Sequence, residues 1–355
     1  MRKGCLLFLL LNILAGAPAF ARQDYIPGSR YTSARAAAMG DAFLPMGEDP
    51  ASALFYNPAN LAKIRKTVYE PVNFTLYMNT AYFGTVDSNF YNASSLEAYA
   101  PNNSRASGFA GVGGQFIPTI AFPWAAFGLL IQNEVAASPV GDGTFNYRSL
   151  YQIIPTAGKA WHFFNGMVRI GYSLQWVNQA SGSAVSGAEL GYNRGLTQGS
   201  GFSHNAGVGI TVPLKLLPSF NFVFRNIGDT NFTGSSIYQF SPDSTGAPPM
   251  DPFTMDFSFS IHPSISGGSS LNLVLEARDM TNITGAPLMM HLATGFEWNS
   301  AGKFFFRAGY RGGAPSGGFG LKKPGAEMSV TFYGEQLTAS SVDNRMMMQY
   351  QFRSF

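Results

Sequence analysis

"MVRIGYSLQWVNQ", residues 167–179, decides the fold. Successive side chains of an extended chain point to opposite sides. Val168, Ile170, Tyr172, Leu174 and Trp176 therefore share one face, and Arg169, Gly171, Ser173 and Gln175 share the other. The same alternation returns in "PSFNFVFRN" (218–226), "PFTMDFSFSIHP" (252–263), "LNLVLEARD" (271–279), "KFFFRAGY" (303–310) and "AEMSVTFYGE" (326–335). Each reads as one amphipathic strand.

The character of the two faces separates the β architectures. One face carries Phe, Leu, Met, Tyr and Trp; the other carries small residues, amides and the charges Arg169, Arg225, Asp256, Glu276, Arg278, Glu297, Arg307 and Glu327. A sandwich that sends its polar face to bulk water needs more charge than this chain has. Charged residues make up 12% of the chain, where about 25% is usual. Apolar faces toward lipid and polar faces toward a wet lumen fit the composition, so the chain reads as all-β, a transmembrane antiparallel β-barrel. Counting period-two runs gives about fourteen strands, starting near Thr67, Gly114, Ala126, Phe145, Met167, His204, Ser219, Pro252, Leu271, Met290, Lys303, Gly317, Gly325 and Asn344. Polar loops are expected at 79–113, 178–203, 226–251 and 279–288.

Both ends agree with this compartment. Met1-Arg2-Lys3, an apolar run to Gly16 and the cleavage pattern Ala19-Phe20-Ala21 read as a signal peptide over residues 1–21. The single cysteine, Cys5, falls inside it, so no disulfide is expected in the remainder. Without Arg2 and Lys3 the basic side chains nearly balance the 20 acidic ones, which gives no footing for nucleic acid. The last stretch, "RMMMQYQFRSF", resembles the aromatic-ended signal by which outer-membrane barrels are recognised for insertion, with Arg353 standing where a second aromatic is expected. It implies passage through the barrel-assembly machinery, the lipid bilayer as surroundings and the outer membrane of a Gram-negative bacterium as location.

The stretch 33–62, "SARAAAMGDAFLPMGEDPASALFYNPANLA", breaks the β pattern. Ala36, Ala37, Ala38 and Gly40 permit close packing, Asp49-Pro50 can start a short helix and Pro58 is expected to stop it. Preceding a closed wall, this Ala-rich segment is expected to fill the lumen as a plug. The division is thus residues 1–21 signal peptide, 22–66 plug and 67–355 barrel.

These residues resemble the N-terminal hatch of FadL-type outer-membrane transporters for long-chain fatty acids and other hydrophobic compounds, and of the related PorV type. The triplet Asn57-Pro58-Ala59 is the most specific part, and "VFRNIGDTNF" (223–232) resembles a later barrel strand of that superfamily. The resemblance implies a plug carrying the triplet and passive uptake of a hydrophobic or amphiphilic, fatty-acid-like molecule. The PorV side implies instead a scaffold that holds a surface protein partner for export or attachment.

No enzyme is indicated. His162, His204, His262 and His291 show no metal-ligand spacing, and neither a G-x-S-x-G elbow nor a phosphate-binding loop occurs, so no cofactor and no metal are expected. His262 is expected to point inward with Asp256, and the inward charges are expected to pair with one another. In "GGQFIPTIAFPWAAFGLLIQ" (113–132), Pro118 and Pro123 mark a candidate lateral opening, since proline cannot donate to a ladder. Pro123 in a turn is the alternative.

Overall fold

The computed structural model describes residues 30–47, 49–79, 110–141, 144–186, 195–283, 285–338 and 341–354. The expected signal peptide, the first residues of the expected plug, much of the expected loop 79–113, and Phe355 lie outside the described residues.

The strands are β1 (Val68–Asn79), β2 (Ala110–Phe116), β3 (Thr119–Phe122), β4 (Ala125–Gly141), β5 (Thr144–Phe163), β6 (Val168–Ser186), β7 (Thr197–Thr211) and β8 (Ser219–Arg225). They continue as β9 (Thr254–Ile261), β10 (Ser270–Ala277), β11 (Leu292–Ser300), β12 (Phe304–Arg311), β13 (Ala314–Lys323), β14 (Ala326–Thr338) and β15 (Ser341–Ser354). From β4 onward each pairs antiparallel with the next in sequence, and β15 also pairs with β1, Phe74 opposite Tyr350, so the sheet closes on itself. Closure removes the unpaired edges that hydrocarbon would not tolerate. β2 and β3 both lie between β1 and β4, so they are two halves of one strand and the barrel has fourteen.

Burial follows the expected parity. Along β6, Arg169, Ser173 and Gln175 are buried while Ile170, Tyr172 and Trp176 are exposed. Along β9, Asp256, Ser258 and Ser260 are wholly buried. The charged face is the inner one. Arg353 shares it: its Nε donates to Glu70 Oε2 at 2.5 Å on the neighbouring β1, while Tyr350 and Phe352 face outward. The position expected to be aromatic thus holds a cation that ties the two closing strands together.

Two expectations are corrected. The loop expected from Asn178 starts later, because β6 runs on to Ser186 and β7 begins at Thr197. The outward parity there holds Ala180 and Gly182 in place of large apolar residues, so the periodicity vanishes while the ladder continues. The opening expected at Pro118 is not formed. Ile117 N–H donates to Asn73 O at 2.9 Å on one side, and Leu129 N–H donates to Pro118 O at 3.1 Å on the other. The register with β4 is the same on both sides of the proline, Phe116 opposite Ile131 and Thr119 opposite Gly128, while β1 takes up a one-residue shift beside Pro71. The proline removes one of the two bonds it would exchange with Leu129 and leaves the other. Pro123 sits with Trp124 in the two-residue turn between β3 and β4, Trp124 at φ +70.

Candidate functional site: the enclosed N-terminal segment

The described residues of 31–64 are almost entirely buried, and local capping explains their shape. Helix α1 (Ala34–Ala38) begins at Ser33, whose Oγ accepts from Ala36 N–H at 3.0 Å. Helix α2 (Pro50–Phe55) begins at Asp49, whose Oδ1 accepts from Ser52 N–H at 2.8 Å, with Pro50 in the first position, where its missing donor costs nothing. Pro58 does not stop this helix, which ends at Phe55; it opens a separate 3-10 turn (Pro58–Lys63) capped by Asn57. The reason is the same in both cases: a proline suits the first turn after a capping side chain. Tyr31, Phe43, Phe55 and Tyr56 meet edge to face with centroids 5.2 to 6.1 Å apart. Such pairs contribute about 0.5–1.5 kcal/mol each beyond burial.

The segment reaches the wall on opposite sides of the ring. Helix α1 lies against β12 to β15, α2 against β3 to β5, and the 3-10 turn against β4 to β7. The wall is thinned where main chain touches it. Gly171 and Gly207 are cross-strand partners, and a Cβ built on them would stand 2.2 Å from Pro58 C and 2.1 Å from Asn57 Oδ1. Gly295 and Gly309 are also partners, and a Cβ there would stand 2.8 Å from Met39 O and 2.1 Å from Gly40 N. Each pair is a notch that accepts backbone and excludes any larger residue.

Asn57, wholly buried, does three things. Its Oδ1 accepts from Ala59 N–H at 3.0 Å, and its Nδ2 donates to Leu44 O at 3.1 Å and to Asn221 Oδ1 of β8 at 3.4 Å. Leu44 O also accepts from Asn60 Nδ2 at 2.9 Å, so one carbonyl gathers both amides. Pro58 and Ala59 supply the backbone seated in the first notch.

The inward charges sort into clusters around this segment. Arg278 Nη1 donates to Asp41 Oδ2 at 2.6 Å and its Nε to Glu276 Oε1 at 2.7 Å; Glu276 Oε2 accepts the Phe43 and Leu44 N–H groups at 2.8 and 3.1 Å. Asp41 also accepts from Arg311 Nη1 at 2.9 Å and Tyr56 Oη at 2.8 Å. Burial alone would raise the Asp41 carboxyl, but Arg278 and Arg311 beside it outweigh burial and hold it below its ordinary value. Burial and the neighbouring Asp41 charge push the Tyr56 hydroxyl well above its ordinary range, so it is a proton donor throughout.

Arg225 Nε donates to Asp256 Oδ2 at 2.7 Å, and its Nη atoms donate to Phe55 O and Tyr56 O at 3.1 Å, closing the C-terminal end of α2. Glu297 accepts from Arg35 through both oxygens, at 2.7 and 2.6 Å, and from Arg307 Nε at 2.7 Å; Arg307 reaches on to Ser329 and Glu327. Arg169 departs from the expected pairing. It donates to Gly166 O at 3.0 Å and Thr211 Oγ1 at 2.9 Å, and reaches no carboxylate among the described residues, because its strand neighbours on β7 and β8 carry Gly209 and Asn221 on the inner face.

Arg35, Asp41 and Arg311 escaped the sequence reading because two lie outside the alternating strands and the third ends one. The glycine notches were detectable in principle, since Gly171, Gly207, Gly295 and Gly309 all fall on the polar parity. The histidines remain apart: His262 bonds Ser260 Oγ at 2.9 Å and Asn272 Oδ1 at 2.7 Å, and Asn272 passes the chain to Glu297 at 2.9 Å. Among the described residues no group of His, Cys, Asp and Glu could hold a metal ion, and no helix is long and apolar enough to cross a membrane.

No protein-family model and no curated protein matches the chain. Among solved structures, the toluene transporter TodX of Pseudomonas putida is similar at 10% identity and TM-score 0.54, over 93% of this chain and 98% of its own. The deltaS2S3 mutant of the TodX monoaromatic hydrocarbon channel is similar at 10% identity and TM-score 0.52, over 94% of this chain and 99% of its own. The chain therefore shares, over nearly its whole length, the fold of these channels, which is the fold implied by its FadL-type resemblance.

Proposed function

We propose that this chain is an outer-membrane channel of a Gram-negative bacterium for passive entry of hydrophobic or amphiphilic small molecules, with residues 22–66 as the plug that gates it. The observation that carries this reading is the seating of the N-terminal segment, bonded through Asp41, Glu276, Arg225 and Glu297 to several strands around the ring. A purely structural filler would serve as well with an apolar interface; buried ion pairs add little net stability but break and reform between defined partners. The fold shared with a protein described as a toluene transporter supports the hydrophobic class of solute. Asn57-Pro58-Ala59 is the pivot seated on the wall, and the clusters of Arg278 and Arg307 are the latches. No bond is made or broken in this function, so no catalytic residue or cofactor is assigned.

The test is uptake by proteoliposomes. Toluene and a fatty acid should enter faster than into protein-free vesicles, and Asp41→Asn should raise the passage of unrelated hydrophilic solutes. Equal entry with and without protein, for both the natural chain and the variant, would overturn the channel. The bonded wall at Pro118 favours a second reading, a PorV-like scaffold whose extracellular loops hold a protein partner. It predicts co-isolation of one surface protein and no solute flux.

A further inference from the structure

The loop between β8 and β9 does not stand clear of the barrel. Its residues 236–241 cross the outside of the wall, and the wall is built to receive them. Asn178 and Gln198 lie on the outward parity of β6 and β7, where Trp176 and Phe202 face the surroundings, yet both amides are more than nine-tenths buried. Asn178 Oδ1 accepts from Ile237 N–H at 2.9 Å. Gln198 Oε1 accepts from the Phe240 and Ser241 N–H groups at 2.8 and 2.9 Å, and its Nε2 donates to Ser236 Oγ at 3.0 Å. Irregular backbone persists against hydrocarbon only when its polar groups are satisfied by protein. These two amides do that for the strap.

Beneath the strap is a groove of about 290 Å³. Its floor is wall backbone, lowered at Gly114, where a Cβ would meet nothing nearer than 3.6 Å. Phe116, Ile131 and Ile153 form one bank and Tyr151 the other; Tyr151 stacks on Phe240 at 5.8 Å, and Tyr238 meets Phe240 edge-on at 5.0 Å to complete the roof. Phe116, Ile131 and neighbouring Phe74 belong to the same exposed apolar surface as Phe127 and Tyr350, so the groove opens sideways onto the membrane and not into the lumen. Asn133, exposed, stands beside it as a polar rim.

We propose that this groove binds one acyl chain of a membrane lipid and holds it against the barrel under the strap. The occupant follows from the walls: the outward side chains are aliphatic and aromatic except Asn133, none is charged, and the opening faces lipid tails. This site is independent of the enclosed segment and of transport.

The test uses the full chain in vesicles of phosphatidylethanolamine carrying a trace of the same lipid with a diazirine in its acyl chain, with crosslinks mapped by peptide mass spectrometry. Peptides holding Tyr151, Ile153 and residues 236–241 should be labelled above the wall at Phe306 and Phe332, although those two side chains are more exposed. Gly114→Phe fills the floor and should lower that labelling about tenfold, the equivalent of roughly 1.4 kcal/mol. Should that variant fail to insert, Gly114→Val and Tyr238→Ala, which narrows the groove and opens its roof respectively, carry the same expectation. Uniform labelling around the barrel, or preferential labelling that none of these changes lowers, overturns the proposal. Loss of labelling on adding decane, with no loss on adding excess unlabelled lipid, would identify a free hydrocarbon as occupant and also overturn it.

Discussion

Asp41 and Arg278, 237 residues apart in sequence, meet at 2.6 Å, and the same carboxylate takes a second guanidinium from Arg311. One aspartate of the N-terminal segment thereby joins the residue just past the end of β10 to the last residue of β12. Removing one partner of a buried pair leaves the other charge uncompensated and costs about 3–5 kcal/mol. Asp41→Asn keeps the shape and loses the charge, and the retained Glu276 limits the damage to the lower end of that range. The expected outcome is a higher open probability in planar bilayers with the barrel still folded by heat-modifiability on gels. Unchanged closed-state current would remove Asp41 from the latch.

Acid should weaken the same contact only at low pH. The folded chain holds the Asp41 carboxyl below its ordinary value of about 3.9. Its ion pairs therefore stabilise the folded arrangement fully above about pH 4, and the contribution is lost as pH falls through the lowered folded value. Leak currents titrated downward should rise below about pH 4, and Asp41→Asn should lack that step. A step near neutrality would point to another group.

Asn57→Ala removes the cap of the 3-10 turn and both donations from Nδ2. Losing a cap costs about 0.5–2 kcal/mol, and Leu44 O retains the Asn60 amide, so the segment should loosen without leaving. Asn57→Ser separates the parts: its hydroxyl can still cap Ala59 N–H, and it loses the donations to Leu44 O and Asn221 Oδ1. An intermediate leak for Ser is expected; equal leaks would show that the cap contributes nothing.

Gly207→Ala places a methyl where Asn57 Oδ1 now lies. Overpacking of this kind costs about 1–3 kcal/mol, and here the strain falls on the Asn57 turn because the wall is held by its ladders. The variant should insert normally and resemble Asn57→Ala in leak. Combining the two should give less than the sum of their separate effects, since the alanine at 57 vacates the space that the methyl needs.

The sequence by itself determined the barrel, because a closed wall between lipid and a polar interior imposes a two-residue period on every strand, and that period was legible from Val168 to Trp176 and from Met255 to Ile261. It also determined which side each charge takes and that residues 33–62 stand apart from the wall. Only the tertiary structure decided the rest, because partnership across a ring depends on register and curvature that no local pattern encodes. Arg278 finds Asp41 and Arg169 finds no carboxylate among the described residues, although both sit on the same parity. Gly171 and Gly207 become one notch only when β6 and β7 align. Pro118 leaves the wall bonded because β1 absorbs the shift beside Pro71, and Asn178 and Gln198, outward by strand parity, are buried because a loop dozens of residues away returns to cover them.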